Sequence, residues 1–250
     1  MTKQYSHIYT TDRNEIAAED VAKSLWRKYR KTPEYRSGRR YSISSVHPLV
    51  RAAEEQGLNT IILDFAKELE QPIEIRTRLA NRCEDDWIAN WQQMHAKLFR
   101  QVYRRGGELR TRGHDVRFGA PGDEDLHRIP HGGAPVYNEL YALARDLCNS
   151  ISCVPTTNID ETCRFLARFH YSFIRIHPFF DGNGRIARVV TDQLSVALGY
   201  IPIIAGFPRH NAEKKRIYHS AIHDCAYDSS YNALTEWIKF QLQQKLAEII

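Results

Sequence analysis

The sequence has no Cys-x-x-Cys pair, no His-Glu-x-x-His pattern, no internal repeat and no low-complexity tract. Its five cysteines, Cys83, Cys148, Cys153, Cys163 and Cys225, are odd in number and widely spaced. That argues against a disulfide framework and against a cysteine zinc site, and leaves them as buried small residues. No apolar run approaches the roughly 20 residues that span a bilayer. The opening stretch, MTKQYSHIYTTDRNE, has no apolar core of the signal-peptide kind. The expectation is a cytoplasmic protein that does not enter a membrane, with a specialised secretion signal as a route this test does not see.

What is present is ordinary for a globular chain. The 250 residues suffice for one large domain, or one domain with a modest extension. Hydrophobic residues make up 42% and charged residues 26%, so a packed core is available. The net charge of +5 is mildly basic. Arg36, Arg39 and Arg40 cluster beside Gly38, but no nucleic-acid motif accompanies them, so a solvated basic surface is the better reading.

The periodicity is helical. Apolar residues Ile16, Val21, Leu25 and Tyr29 place an amphipathic helix over 15–30. Residues 31–47, rich in Arg, Ser and Tyr, read as an irregular link. Short helices are expected over 48–56 and 61–69, separated by Gly57 and Asn59, and a longer one over 84–104 with acids first and bases last. Residues 106–135 are rich in Gly and Pro and alternate at Leu109–Arg112 and Val116–Phe118, which predicts a short hairpin and a loop. Helices resume over 136–150 and 158–176. The second opens on Asn158-x-x-Glu161, a capping pattern, and carries a core stripe of Phe165, Phe169 and Phe173 with Leu166 and Ile176. Further helices are expected over 184–198, closed by Gly199, and over 214–226 and 232–248.

One joint between these helices holds a dense set of reactive groups: His177-Pro-Phe-Phe-Asp-Gly-Asn-Gly-Arg-Ile-Ala-Arg188. Pro178 ends the preceding helix near His177. Gly182 and Gly184 allow positive φ and close backbone approach, and the following helix presents free N–H groups, a ready anion site. Asp181 beside an anion calls for a cation between them, Mg²⁺ if the anion is a polyphosphate. Asn183 can donate to a phosphate oxygen or fix the turn. Arg185 and Arg188 share a helix face near its N-terminus, unfavourable for the dipole unless an anion lies between them. His177 can accept a proton near neutral pH.

This joint resembles the signature of the Fic family, HPFxDGNGRxxR, and matches every specified position. The likeness runs from about Trp87 to Trp237. Gly107–Thr111 with Val116, Arg117, Phe118 and Gly119 looks like the family's flap, and Tyr218 falls where the family places an aromatic near the adenine. The resemblance implies an all-α fold, a Fic-type helical bundle with a short β-hairpin flap over the active site. It divides the chain into a helical N-terminal extension, residues 1–79, and a Fic domain, residues 80–250. It implies transfer of AMP from ATP to a Ser, Thr or Tyr hydroxyl of a target protein. By that likeness His177 is the base, Asp181 holds Mg²⁺, and Gly182, Asn183 and Gly184 line the anion hole. Arg185 and Arg188 grip the β- and γ-phosphates, Phe179 is a buried anchor, and the flap docks the target by strand addition.

Two departures bear on the resemblance. Many family members carry an inhibitory helix, Ser/Thr-x-x-x-Glu-Gly/Asn, yet no Glu here precedes Gly or Asn, and Thr11–Ile16 fails at its last position. Inhibition then falls to a separate antitoxin-like chain, to a divergent helix, or to nothing. The residue before Tyr218 is Ile217 where the family often has an aromatic, which leaves base preference open. The alternatives are transfer of UMP, phosphocholine or phosphate, and a non-catalytic nucleotide- or nucleic-acid-binding module. The branch that transfers phosphate has Gly-Lys where this chain keeps Gly184-Arg185.

Overall fold

A computed structural model describes residues 48–68, 72–99, 106–112, 129–203, 212–228 and 230–247. The expected helix over 15–30, the link after it with its three arginines, and the flap residues Val116–Gly119 lie outside these. Among the described residues there are eight helices and no strand. They are α1 (Pro48–Glu68), α2 (Pro72–Ala80), α3 (Glu84–Leu98), α4 (Ala134–Ser150), α5 (Ile159–Ile176), α6 (Asn183–Ala197), α7 (Ala212–Tyr227) and α8 (Asn232–Ala247).

The chain divides into two compact units: residues 1–67 with 91–108, and residues 68–90 with 109–250. The first holds α1 and the C-terminal part of α3. Sequence reading broke α1 at Gly57, but the helix is continuous, because Gly57 serves a different need. A Cβ there would collide with the backbone carbonyl of Leu98, so only glycine admits that close approach. Lys97 and Asp64 pair at 2.8 Å in the same unit.

The second unit is organised around α5, which packs against α4, α6 and α8, with α2 against α6 and α4 and with α7 against α8. Its sequence accounts for that centrality. The Asn158 side chain accepts the N–H groups of Asp160 (3.1 Å) and Glu161 (3.2 Å) and donates to the Glu161 carboxylate at 3.0 Å, the reciprocal cap foreseen from the sequence. Of the expected stripe, Leu166, Phe169, Phe173 and Ile176 are buried, but Phe165 is only half-buried and Cys163 takes the core position one turn earlier; Phe173 also meets Phe179 across the joint. Deleting such a fully buried ring costs about 3–5 kcal/mol, so this stripe fixes the helix that delivers the site.

Helix α2 escaped the sequence reading. It is short, and its start at Pro72 is the main signal. Its Arg76 guanidinium takes the carbonyls of Ile151, Ser152 and Val154 at 2.9–3.2 Å, satisfying the chain just beyond the C-terminus of α4. The cysteines also correct the expectation of uniform burial. Cys163 and Cys225 are buried, but Cys83 and Cys153 are exposed and Cys148 is intermediate, and all five are free thiols. No described helix is long and apolar enough to cross a membrane.

Candidate active site

The joint between α5 and α6 has the shape that its proline and glycines require. His177 caps α5 in the left-handed region, φ 50° and ψ 55°, and is the one non-glycine with positive φ among the described residues. That conformation costs a side-chain-bearing residue roughly 1–2 kcal/mol, so the surroundings must impose it. Its N–H still bonds the Phe173 carbonyl at 3.1 Å. The ring Nδ1 lies 3.2 Å from the Ile174 carbonyl. A carbonyl only accepts, so Nδ1 carries the proton and Nε2 carries the lone pair, the tautomer that a general base at Nε2 requires.

His177 as a residue is half-buried, yet the atoms packed around its ring hold its pKa down at about 4, with burial the first cause and the Arg110 cation a further one. The Ile174 hydrogen bond and the Asp181 charge oppose the shift. The imidazole is therefore neutral at physiological pH.

Beyond it, Phe179 is fully buried and Asn183 is 2% exposed. Asn183 uses its whole side-chain amide on the turn. Oδ1 accepts the Phe179 N–H at 2.9 Å and Nδ2 donates to the Phe179 carbonyl at 2.8 Å. Of the two roles open to it in the sequence, this structure shows the second, and an anion would meet Asn183 through its backbone N–H. Gly182 is the N-cap of α6 with φ 76°, a geometry suited to glycine.

Asp181 is already engaged. Its Oδ1 accepts the Gly182 N–H and the Arg185 guanidinium, the latter at 3.2 Å. No group of three or more acidic, His or Cys side chains converges on a metal site among the described residues. The donor set thus fits Mg²⁺ in one manner only, with a single carboxylate at the edge of an anion site and phosphate and water oxygens completing the shell. Asp181, partly exposed, is the carboxylate at this helix end that could hold such a cation.

Arg188 lies at the same helix end. A Cβ added to Gly184 would sit 3.3 Å from its Nη1. A buried chain of polar groups stands behind it. Thr191 donates its hydroxyl hydrogen to the Ala187 carbonyl at 2.7 Å, so it can only accept from His170 Nδ1, at 2.9 Å. His170 Nε2 then accepts from the Tyr218 hydroxyl at 2.7 Å, and the Tyr218 oxygen accepts from Arg188. Burial first, then the Arg188 charge, push the His170 pKa down to about 3. Tyr218, expected beside an adenine, is 5% exposed, and its ring packs on His170, His219 and Trp237. The structure thus gathers His177, Asp181, Gly182, Asn183, Gly184, Arg185 and Arg188 into one joint, with Tyr218 behind Arg188. His170, Thr191 and Arg110 were missed. The first two sit on core stripes and show no local signal, and Arg110 was read as flap.

Residues 88–195 match the profile of the Fic/DOC family. This chain carries a Fic/DOC family domain. Its fold is similar to that of a Fic domain-containing signaling protein from Bacteroides thetaiotaomicron, at TM-score 0.54 and 16% identity, covering 99% of this chain and 94% of that one. It is also similar to Fic-1 from C. elegans, at TM-score 0.51 and 17% identity, covering 71% of this chain and 49% of the other. By sequence, 41 residues are 46% identical to a protein adenylyltransferase Fic of Culex quinquefasciatus, covering 16% of this chain and 8% of that one. Another 63-residue match, to the protein adenylyltransferase Fic of Drosophila grimshawi, is 38% identical and covers 25% and 12%. The matched stretches span about a tenth of these curated relatives.

Proposed function

We propose that this Fic domain transfers AMP from ATP to a hydroxyl side chain of a target protein and releases pyrophosphate. One observation carries most of the support: the base and the anion site are built into a single rigid turn. His177 Nδ1 is tied to Ile174, while Asn183 locks the backbone at Phe179 ahead of the α6 N-terminus. Transfer at phosphorus needs positioning and charge neutralisation more than covalent help, and such a joint supplies both.

In this reading Nε2 of His177 takes the proton of the incoming hydroxyl. The freed oxygen attacks the α-phosphorus, the bond to the β-phosphate bridging oxygen breaks, and pyrophosphate leaves. His177 returns its proton to solvent. The backbone N–H groups of Asn183 and Gly184, with the dipole of α6, face the phosphates, and Arg185 and Arg188 bind the outer ones. Mg²⁺ on Asp181 would neutralise phosphate charge. Asp181 would give up Arg185 to hold that cation, which would free the guanidinium for phosphate. Target docking falls to Val116, Arg117, Phe118 and Gly119, and control to a separate inhibitory antitoxin-like chain, to a divergent helix, or to nothing.

The test is labelling of candidate proteins, this chain included, with α- or γ-labelled ATP and Mg²⁺. Label retained from the α position, and lost in His177→Ala with nucleotide binding intact, supports AMP transfer. Label retained only from the γ position sinks it in favour of phosphate transfer. No label from either, with His177→Ala equivalent to wild type in the cell, favours a binding module.

A further inference from the structure

Arg110 is 1% exposed, one of the largest fully buried side chains of the described chain. It holds three consecutive carbonyls at the end of α5. Its Nη2 donates to Ile176 O at 3.2 Å, its Nε donates to His177 O at 2.6 Å, and its backbone N–H donates to Pro178 O at 2.8 Å. The same Nη2 also reaches Pro130 O at 2.9 Å, and Arg110 O accepts the Gly133 N–H at 2.8 Å. One residue thus ties the turn that bears His177 to the chain segment entering α4.

A helix end needs its last carbonyls satisfied, and a lone glycine cap with water would do that at lower cost than a buried guanidinium. What the guanidinium adds is a planar fork of fixed geometry, set on the two peptide planes on either side of the His177 Cα. Those planes define where the Cα–Cβ bond of His177 points. They also hold the left-handed φ of 50° against its tendency to relax.

We propose that Arg110 is the positioning residue for His177, fixing the orientation of the base through three successive backbone carbonyls. The inference rests on the reading of His177 as the base, but it has its own observable. In Arg110→Lys the positive charge stays while the fork is lost. The His177 ring, no longer held against Ile174, should then populate both neutral tautomers, read from the side-chain ¹⁵N shifts of labelled histidine at pH 7.5. Wild type should show the Nδ1–H form alone.

The kinetic consequence is a split. Turnover should fall roughly a hundredfold, the scale expected for a misplacement of about 1 Å. The dissociation constant for a non-hydrolysable ATP analogue should stay within about threefold, because the α6 cradle is untouched. Arg110→Gln, tested in parallel, should behave the same way if Lys proves too unstable. A tautomer unchanged in both folded variants would overturn the proposal. So would turnover and nucleotide affinity that fall together in proportion to the folded fraction, the pattern of a plain structural cap. If wild type transfers nothing to any target, AMP transfer fails while the tautomer comparison still decides the role of Arg110.

Discussion

Lowering the pH from 7 to 5 should cost the folded state about 2 kcal/mol through His170 alone, given its pKa of about 3 in the fold against roughly 6.5 in the unfolded chain. Because the folded value is the lower one, the unfolded chain takes the proton first. The stabilisation is complete above pH 6.5 or so and drains away as pH falls toward the folded value. Between pH 7 and 5 the unfolded histidine goes from mostly neutral to nearly all protonated, which gives the 2 kcal/mol at about 1.4 kcal/mol per proton per pH unit. The cause is local. Protonating Nε2 would turn the Tyr218 hydroxyl away from it and place an imidazolium beside Arg188, buried away from bulk solvent. The assay is urea unfolding of wild type and His170→Gln at both pH values. The variant will be weaker overall, so the readout is the difference of differences. Wild type should lose about 2 kcal/mol more than His170→Gln between pH 7 and 5. If both proteins lose the same amount to within about 0.5 kcal/mol, the neutral buried histidine is refuted.

Other outcomes follow from the same geometry. The acid limb of kcat/KM should lie below pH 5, near the pKa of about 4 held by His177, where an unperturbed histidine would place it near 6.5. Tyr218→Phe keeps the ring and removes one bond to a charged group, so nucleotide affinity should drop about tenfold, and the change should vanish in an Arg188→Ala background. Phe179→Ala, at a fully buried ring against Phe173, should lower unfolding free energy by about 3–5 kcal/mol in denaturant titration. Chelation of Mg²⁺ and Asp181→Asn should each reduce transfer at least about a hundredfold in the labelling assay.

Much of the second unit was legible because its signals are local. Asn158 and Glu161 sit within one helical turn, and the stripe on α5 repeats with the helix period, so both can be read along the chain. The joint from His177 to Arg188 is legible for the same reason. The failures have physical causes of a different kind. Gly57 looks like a breaker in sequence, but the collision that demands it comes from Leu98, a residue far along the chain. The exposure of Cys83 and Cys153 depends on what packs nearby, which cysteine identity does not encode. Arg110 and Tyr218 bond partners 67 and 48 positions away, so neither contact could be read until the helices were placed.

The pairing of Asp181 with Arg185 has a consequence for how ligands arrive. Neither ion waits in water for a partner, and neither is stranded. In the proposed reaction a nucleotide entering with its cation would perform an exchange: acid would pass to metal, guanidinium to phosphate, and the number of close ion pairs would grow without any charge first being exposed. Recognition of this sort pays little reorganisation on entry. Its counterpart is selectivity, because a phosphate without a cation, or a cation without a phosphate, would break the resident pair and replace only half of it.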